Sequence, residues 1–273
     1  MTETSGTADR KTEQGRIVTR VESPVGWLLI DNPTRRNAVT LNMWRALPAA
    51  VASLDEDPAV RVIVVRGGGE QTFVAGADIS EFDTVRRDAR SARAYEAANA
   101  EAFDAIRRAV KPTLAMIRGF CLGGGLGIAA ACDLRFAEAG STFGIPAARL
   151  GVGYPPSAVR DVVNLIGPAR AKDLFFSARR VGTDEALAIG LVNRLAPIDG
   201  LEVMVAGIVE EIAAGAPLTI RAAKAAIDAV AGDPGEADWN RIQALADACF
   251  DSADFAEGRT AFVEKRKPRF RGE

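Results

Sequence analysis

The stretch CLGGGLGIAAACD, Cys121 to Asp133, constrains the fold more than any other part of the chain. Three consecutive glycines, the residues with the most backbone freedom to lose, run straight into a helix-forming segment. A strand-like run, TLAMIRG, precedes them, and another, DLRFAEA, follows. Strand, glycine turn and helix together make an anion or dipole site. The first N–H groups of the helix lack intrahelical acceptors, the helix dipole adds partial positive charge, and glycine lets a ligand come close to the backbone. A tight turn needed only for packing is the alternative reading. Phosphate motifs fit poorly: Gly124-Gly125 lead to Leu126 and Gly127 instead of Lys-Ser/Thr, and Ile128 stands where the last glycine of G-x-G-x-x-G would fall.

A second glycine loop, TFVAGADI, comes after a buried-strand pattern at VRVIVVRGGG. Two such loops can each offer one N–H to a single oxygen. That is an oxyanion hole, useful where a thioester carbonyl becomes an enolate. Around the loops, strands and helices alternate. RIVTRVESPVGWLLIDNP reads as two strands about a Ser23–Gly26 turn, and TLNMWRALPAAVASLDED as a helix that Pro48 breaks or kinks. Thr84 to Ala109 reads as one long helix stopped by Lys111-Pro112, and the chain from Gly167 onward as almost wholly helical. The expected fold class is α/β, an alternating core followed by helices. The expected organisation is a disordered polar leader over 1–15, a core over 16–200 and a helical region over 201–273.

Composition removes several chemistries. The chain has no histidine, which excludes Ser-His-Asp and Cys-His triads, histidine metal sites and an imidazole base; no metal is expected. Thirty-four basic against 36 acidic residues give a net charge of −2, which favours neither nucleic acid nor an acidic membrane. Cys121, Cys132 and Cys249 are scattered, as suits a reducing, cytoplasmic setting. No apolar run reaches the roughly 18 residues that a membrane span needs.

TFVAGADIS, IRGFCLGGGLGIAAACDLRFA, TFGIPAARLGVGYPP, ARRVGTDEALAIGLVNRLAP and AFVEKRKPRF, in that order, resemble the crotonase superfamily, which includes enoyl-CoA hydratases and isomerases. The resemblance runs from Ile17 to Phe270. It implies a crotonase-like ββα spiral core, C-terminal helices that assemble homotrimers or hexamers, and an acyl-CoA substrate with no separate cofactor, coenzyme A being part of the substrate. Carried over by position, it implies Ala77 and Gly124 as the two oxyanion-hole amides. It also places Arg35, Arg36, Ala75, Asp78, Ile79, Phe262 and Lys265 beside coenzyme A. Solvated loop arginines at 35 and 36, and cations offsetting a helix C-terminus near Lys265, are the local alternatives.

The chain departs from the hydratases of this superfamily at both of their glutamates. The matching positions are Gly127, in GGGLG, and Ala147, in FGIPA. Water addition needs positioned acid and base groups worth about 10²–10⁴ each in rate, and neither residue can supply one. Asp78, Glu81, Asp83 and Asp161 are candidate replacements. The aspartate of dienoyl isomerases and haloaroyl-CoA dehalogenases would fall on Pro155. Tyr154, in LGVGY, matches a tyrosine of superfamily members that decarboxylate malonyl-type thioesters, though a packing aromatic is equally consistent with that position. Loss of carbon dioxide needs no base, and a glutamate about 4 Å from the substrate carboxylate would repel that carboxylate by roughly 4 kcal/mol at an effective dielectric near 20. Arg149 and Arg160 flank the loop and could meet a carboxylate. The expected function is therefore enolate stabilisation on an acyl-CoA by something other than an ordinary hydratase, with malonyl-type decarboxylation favoured. A non-catalytic acyl-CoA-binding protein is the alternative.

Overall fold

The computed structural model describes residues 15–232, 235 and 237–273. The leader expected over 1–15 lies outside the described residues, Gly15 excepted.

Strands β1 (Arg16–Glu22) and β2 (Val25–Asp31) form an antiparallel hairpin closed at Ser23-Pro24, with Glu22 opposite Val25. Helix α1 (Leu41–Glu56), β3 (Val62–Gly67), short α2 (Phe82–Val85) and α3 (Ala89–Arg108) follow. Then come β4 (Thr113–Ile117), β5 (Phe120–Leu122), α4 (Gly124–Ala131), β6 (Leu134–Glu138), β7 (Thr142–Gly144), α5 (Ala147–Leu150) and α6 (Pro156–Ser177). The chain closes with β8 (Arg180–Gly182), α7 (Thr183–Ala188), β9 (Arg194–Ala196), α8 (Leu201–Ala213), α9 (Pro217–Ala231), α10 (Trp239–Phe250) and α11 (Ala253–Glu264). The strands make a six-stranded sheet in the order β1-β2-β3-β4-β6-β9, parallel after the first pair, and a small sheet β5-β7-β8. The fold is α/β with C-terminal helices, as expected.

The alternation of β3 explains how the large sheet is covered on both faces. Ile63 and Val65 enter one core with Trp44, Phe103 and Leu126, from α1, α3 and α4. Val62 and Val64 enter a second core with Leu201, Val205 and Ile208 of α8. A parallel strand buried on both sides needs this continuous β-branched run. Helix α4 is buried around its whole circumference from Gly125 to Ala131, and its small residues let it pass between neighbours.

Four expectations change. Helix α1 runs through Pro48 without ending; Trp44, Leu47, Val51 and Leu54 are buried along it, and that packing outweighs the lost hydrogen bond. The long helix expected from Thr84 is two helices, because Asp88 and Ser91 form a reciprocal capping box that starts α3 afresh. The last third is not wholly helical: β8 and β9, three residues each, are too short to show a period, and each extends a sheet. The helix expected from Gly167 begins at Pro156 and kinks at Gly167. Among the described residues no single helix is long and apolar enough to cross a membrane.

Candidate active site

Two glycine loops meet at the start of α4. In each, a glycine with positive φ precedes the amide of interest: Gly76 (φ 118°) before Ala77, and Gly123 (φ 54°) before Gly124. Both turns therefore demand glycine. Val39 clamps the first loop, donating to the Gly76 carbonyl (2.9 Å) and accepting from Asp78 N (2.9 Å), which leaves the intervening Ala77 N turned away from it. Gly123 N donates to the Gly144 carbonyl (2.8 Å). Among the described residues neither Ala77 N nor Gly124 N donates to a protein acceptor. A Cβ placed on Gly124 would stand 3.8 Å from Ala77 N, so the loops are in contact there.

Both amides border a cavity of about 80 Å³, room for several waters where one needs about 10–15 Å³. Ala75, Ile79, Phe103, Ala147 and Tyr154 also line it. Tyr154 turns inward: a Cβ on Gly123 would lie 3.3 Å from its hydroxyl, and its ring packs edge-on against Phe175 at 5.5 Å. Burial pushes its hydroxyl up to about 12, so it is a neutral donor across the ordinary pH range. At Gly127 a side chain has no room, because a Cβ would lie 2.6 Å from Phe103 Cζ.

The four carboxylates considered as replacements do not line the cavity. Asp78 is buried, accepts from Ser80 and pairs with Arg35 (3.1 Å). Glu81 accepts from Leu41 N (2.8 Å), Asp83 is exposed, and Asp161 is held by Arg107 (2.6 Å). Arg149 and Arg160 are exposed and likewise off the lining.

The carboxylate that does line the cavity is Glu96, with Asn99 beside it on α3 and Arg86 from the turn before that helix. Arg86 donates to Glu96 Oε1 in an ion pair, and Asn99 Nδ2 donates to Oε2 (3.4 Å). The Arg86 guanidinium lies over the rings of Tyr95 (4.2 Å) and Phe82 (4.8 Å). Burial raises the Glu96 carboxyl, with Arg86 and Asn99 opposing. Sequence reasoning missed this group. The available signal was a polar Asn99 at a core position of a helix whose other buried residues include Tyr95, Ala102, Phe103 and Ile106.

Of the residues the resemblance places beside coenzyme A, Ala75 and Ile79 line the cavity, Asp78 and Arg35 are paired with each other, and Arg36 lies over Phe120 (5.5 Å). Phe262 and Lys265 are exposed on and just after α11 and do not reach the cavity of their own chain.

Comparison with known proteins shows the family and the fold. The family model for enoyl-CoA hydratase/isomerase matches residues 20–273. A crotonyl-CoA hydratase of Syntrophomonas wolfei is 35% identical over 258 residues, covering 93% of this chain and 97% of the relative. A peroxisomal Delta(3,5)-Delta(2,4)-dienoyl-CoA isomerase of Arabidopsis thaliana is 29% identical, covering 91% and 93%. The crystal structure of an enoyl-CoA hydratase/carnitine racemase from Magnetospirillum magneticum superposes with a TM-score of 0.89 at 36% identity, covering 96% of this chain and 97% of that one. The chain belongs to the enoyl-CoA hydratase/isomerase family, within the crotonase superfamily.

Proposed function

We propose that the protein is an acyl-CoA enzyme that stabilises an enolate, the thioester oxygen accepting hydrogen bonds from Ala77 N and Gly124 N. The observation that carries this reading is that two main-chain amides from separate loops, both without protein acceptors, border one cavity. Preorganised donors of this kind stabilise charge where it develops.

Within that class the favoured reaction is decarboxylation of a short malonyl-type thioester, outside ordinary hydratase chemistry. The bond to the carboxylate breaks, carbon dioxide leaves, and the electron pair passes to the thioester as an enolate. Support comes from the inward Tyr154 hydroxyl, a neutral donor beside the Gly123 turn, and from Gly127, whose side-chain space Phe103 fills, and Ala147, the two positions that match the glutamates of superfamily hydratases. A second reading, hydration or isomerisation, is favoured by Glu96 on the cavity wall and by the names of the hydratase and isomerase relatives. The reading extends to assembly: a homotrimer or hexamer would cover the exposed Phe250, Phe262 and Val263 and could bring Phe262 and Lys265 to a neighbour's coenzyme A.

Incubation with malonyl-, methylmalonyl- and crotonyl-CoA tests the choice. Carbon dioxide release supports the first reading. Hydration of crotonyl-CoA without it replaces that reading with the second. Tight binding with no turnover across a broad panel indicates a binding protein, and failure to bind any of the thioesters overturns the whole assignment.

A further inference from the structure

We infer that Glu96 exchanges a proton with the α-carbon of the bound thioester, with Arg86 and Asn99 as its positioning residues. The inference rests on the oxyanion-hole reading and deepens it.

Placement comes first. Glu96, Asn99 and Phe103 stand at i, i+3 and i+7 on α3, hence on one face of that helix. Phe103 meets Gly127 of α4, one turn from the Gly124 amide, so the same face of α3 fronts the glycine turn. Among the described residues, Glu96 is the one carboxylate lining the cavity that Ala77 and Gly124 border.

The carboxylate is also held. Arg86 binds one oxygen and Asn99 the other, and stacking over Tyr95 and Phe82 fixes the Arg86 guanidinium. This pairing makes the cluster formally neutral, so the cavity can admit a negatively charged intermediate.

The cluster is incomplete on its own. Arg86 Nε and Asn99 Oδ1 are buried without hydrogen-bond partners, and Asn99 as a whole is 6% exposed. Buried polar atoms are nearly always satisfied, and exceptions call for a ligand or water. Here both belong to residues lining the candidate cavity. Burial that raises the Glu96 carboxyl suits a group that must both take and give a proton.

The step balances without another reactant. The α C–H bond breaks, the proton passes to a Glu96 oxygen, and the electron pair moves onto the thioester oxygen between the two amides. Reversal returns the proton. Where carbon dioxide leaves instead, Glu96 first takes a proton from solvent, passes it to the α-carbon of the enolate, and returns to the carboxylate.

Deuterium uptake at C2 of butyryl-CoA in heavy water, read by NMR, tests this without any net reaction. The wild-type protein is expected to bind butyryl-CoA and exchange its α-protons. Glu96→Gln should slow exchange by about 100-fold or more with affinity nearly unchanged, and Glu96→Asp should retain part of the rate. Exchange by Glu96→Gln at the wild-type rate overturns the inference, as does a wild-type protein that binds butyryl-CoA without exchanging it. Failure of the wild type to bind butyryl-CoA overturns this inference, and failure to bind any thioester of the panel above overturns the acyl-CoA reading itself. Should Glu96→Gln misfold because Arg86 is left unpaired, the double variant Glu96→Gln/Arg86→Gln removes both charges, and surviving exchange there is equally decisive against.

Discussion

Gly127 and Phe103 share a single space: a Cβ on the glycine would lie 2.6 Å from the ring's Cζ. Phe103 is 3% exposed and packs edge-on against Trp44 at 5.5 Å, so it cannot swing aside freely. Gly127→Glu should therefore destabilise the protein by about 1–3 kcal/mol through overpacking and give no hydratase activity by itself. Room for a carboxylate requires Phe103→Ala in the same chain. Urea denaturation of the single and double variants checks the order of stability, and Ala147→Glu added to the double variant, assayed with crotonyl-CoA, checks for gained hydration.

Gly124 and Gly125 are adjacent but not equally replaceable. A Cβ on Gly125 would stand 2.3 Å from the Val74 carbonyl oxygen, which already accepts from Leu122 N (3.0 Å). One on Gly124 would meet the edge of the Trp44 ring at 2.9 Å. Backbone in a bridge cannot retreat, whereas a ring edge can shift slightly. Gly125→Ala should lower the thermal midpoint well beyond Gly124→Ala, and equal losses would contradict this packing.

The chain has two tyrosines, Tyr95 and Tyr154, and burial pushes both up to about 12. A folded pKa above the unfolded value of about 10 means that ionisation favours the unfolded chain. The associated stability is fully present below pH 10, declines as the pH rises further, and is lost as it passes about 12. Ultraviolet titration should show almost no tyrosinate at pH 10. Half-ionisation there would mean that the hydroxyls face water.

Tyr154→Phe separates packing from chemistry. The ring contact with Phe175 survives and only the hydroxyl is lost. If the hydroxyl serves decarboxylation, kcat with malonyl-CoA should fall by about 10²-fold, with KM little changed and the fold intact by circular dichroism. An unaltered kcat would leave Tyr154 as packing alone.

Asp161 is held by Arg107, which donates through both Nε (3.1 Å) and Nη2 (2.6 Å). Its role is to tie α6 to α3. Asp161→Asn should cost about 1–2 kcal/mol, less than for a fully buried pair because the Arg107 side chain is 22% exposed and keeps Asp104 as a partner, while leaving α-proton exchange in place. Urea denaturation and the exchange assay report the two effects separately.

Local chemistry made much of this protein legible in its sequence. Glycines at positive φ marked both loops, a β-branched run marked a strand buried on both faces, and the motif order marked the family. The passage of α1 through Pro48 and the three-residue strands β8 and β9 were decided by packing and pairing partners distant in the chain, so no local period announced them, whereas the capping box between Asp88 and Ser91 is a local signal that the helical composition around it masked.

The candidate site divides along the same line. The two glycine loops were legible in the sequence, and the resemblance to the crotonase superfamily carried the candidate amides at Ala77 and Gly124 over by position; the positive φ of Gly76 and Gly123 is the local geometry beside them. Which side chains face them depended on how α3 lies against α4: that contact put Phe103 in the space beside Gly127 and Glu96 on the cavity wall. A carboxylate's place on a helix can be counted from the sequence, but the wall it faces is set by the packing of that helix, and only the tertiary structure decides it.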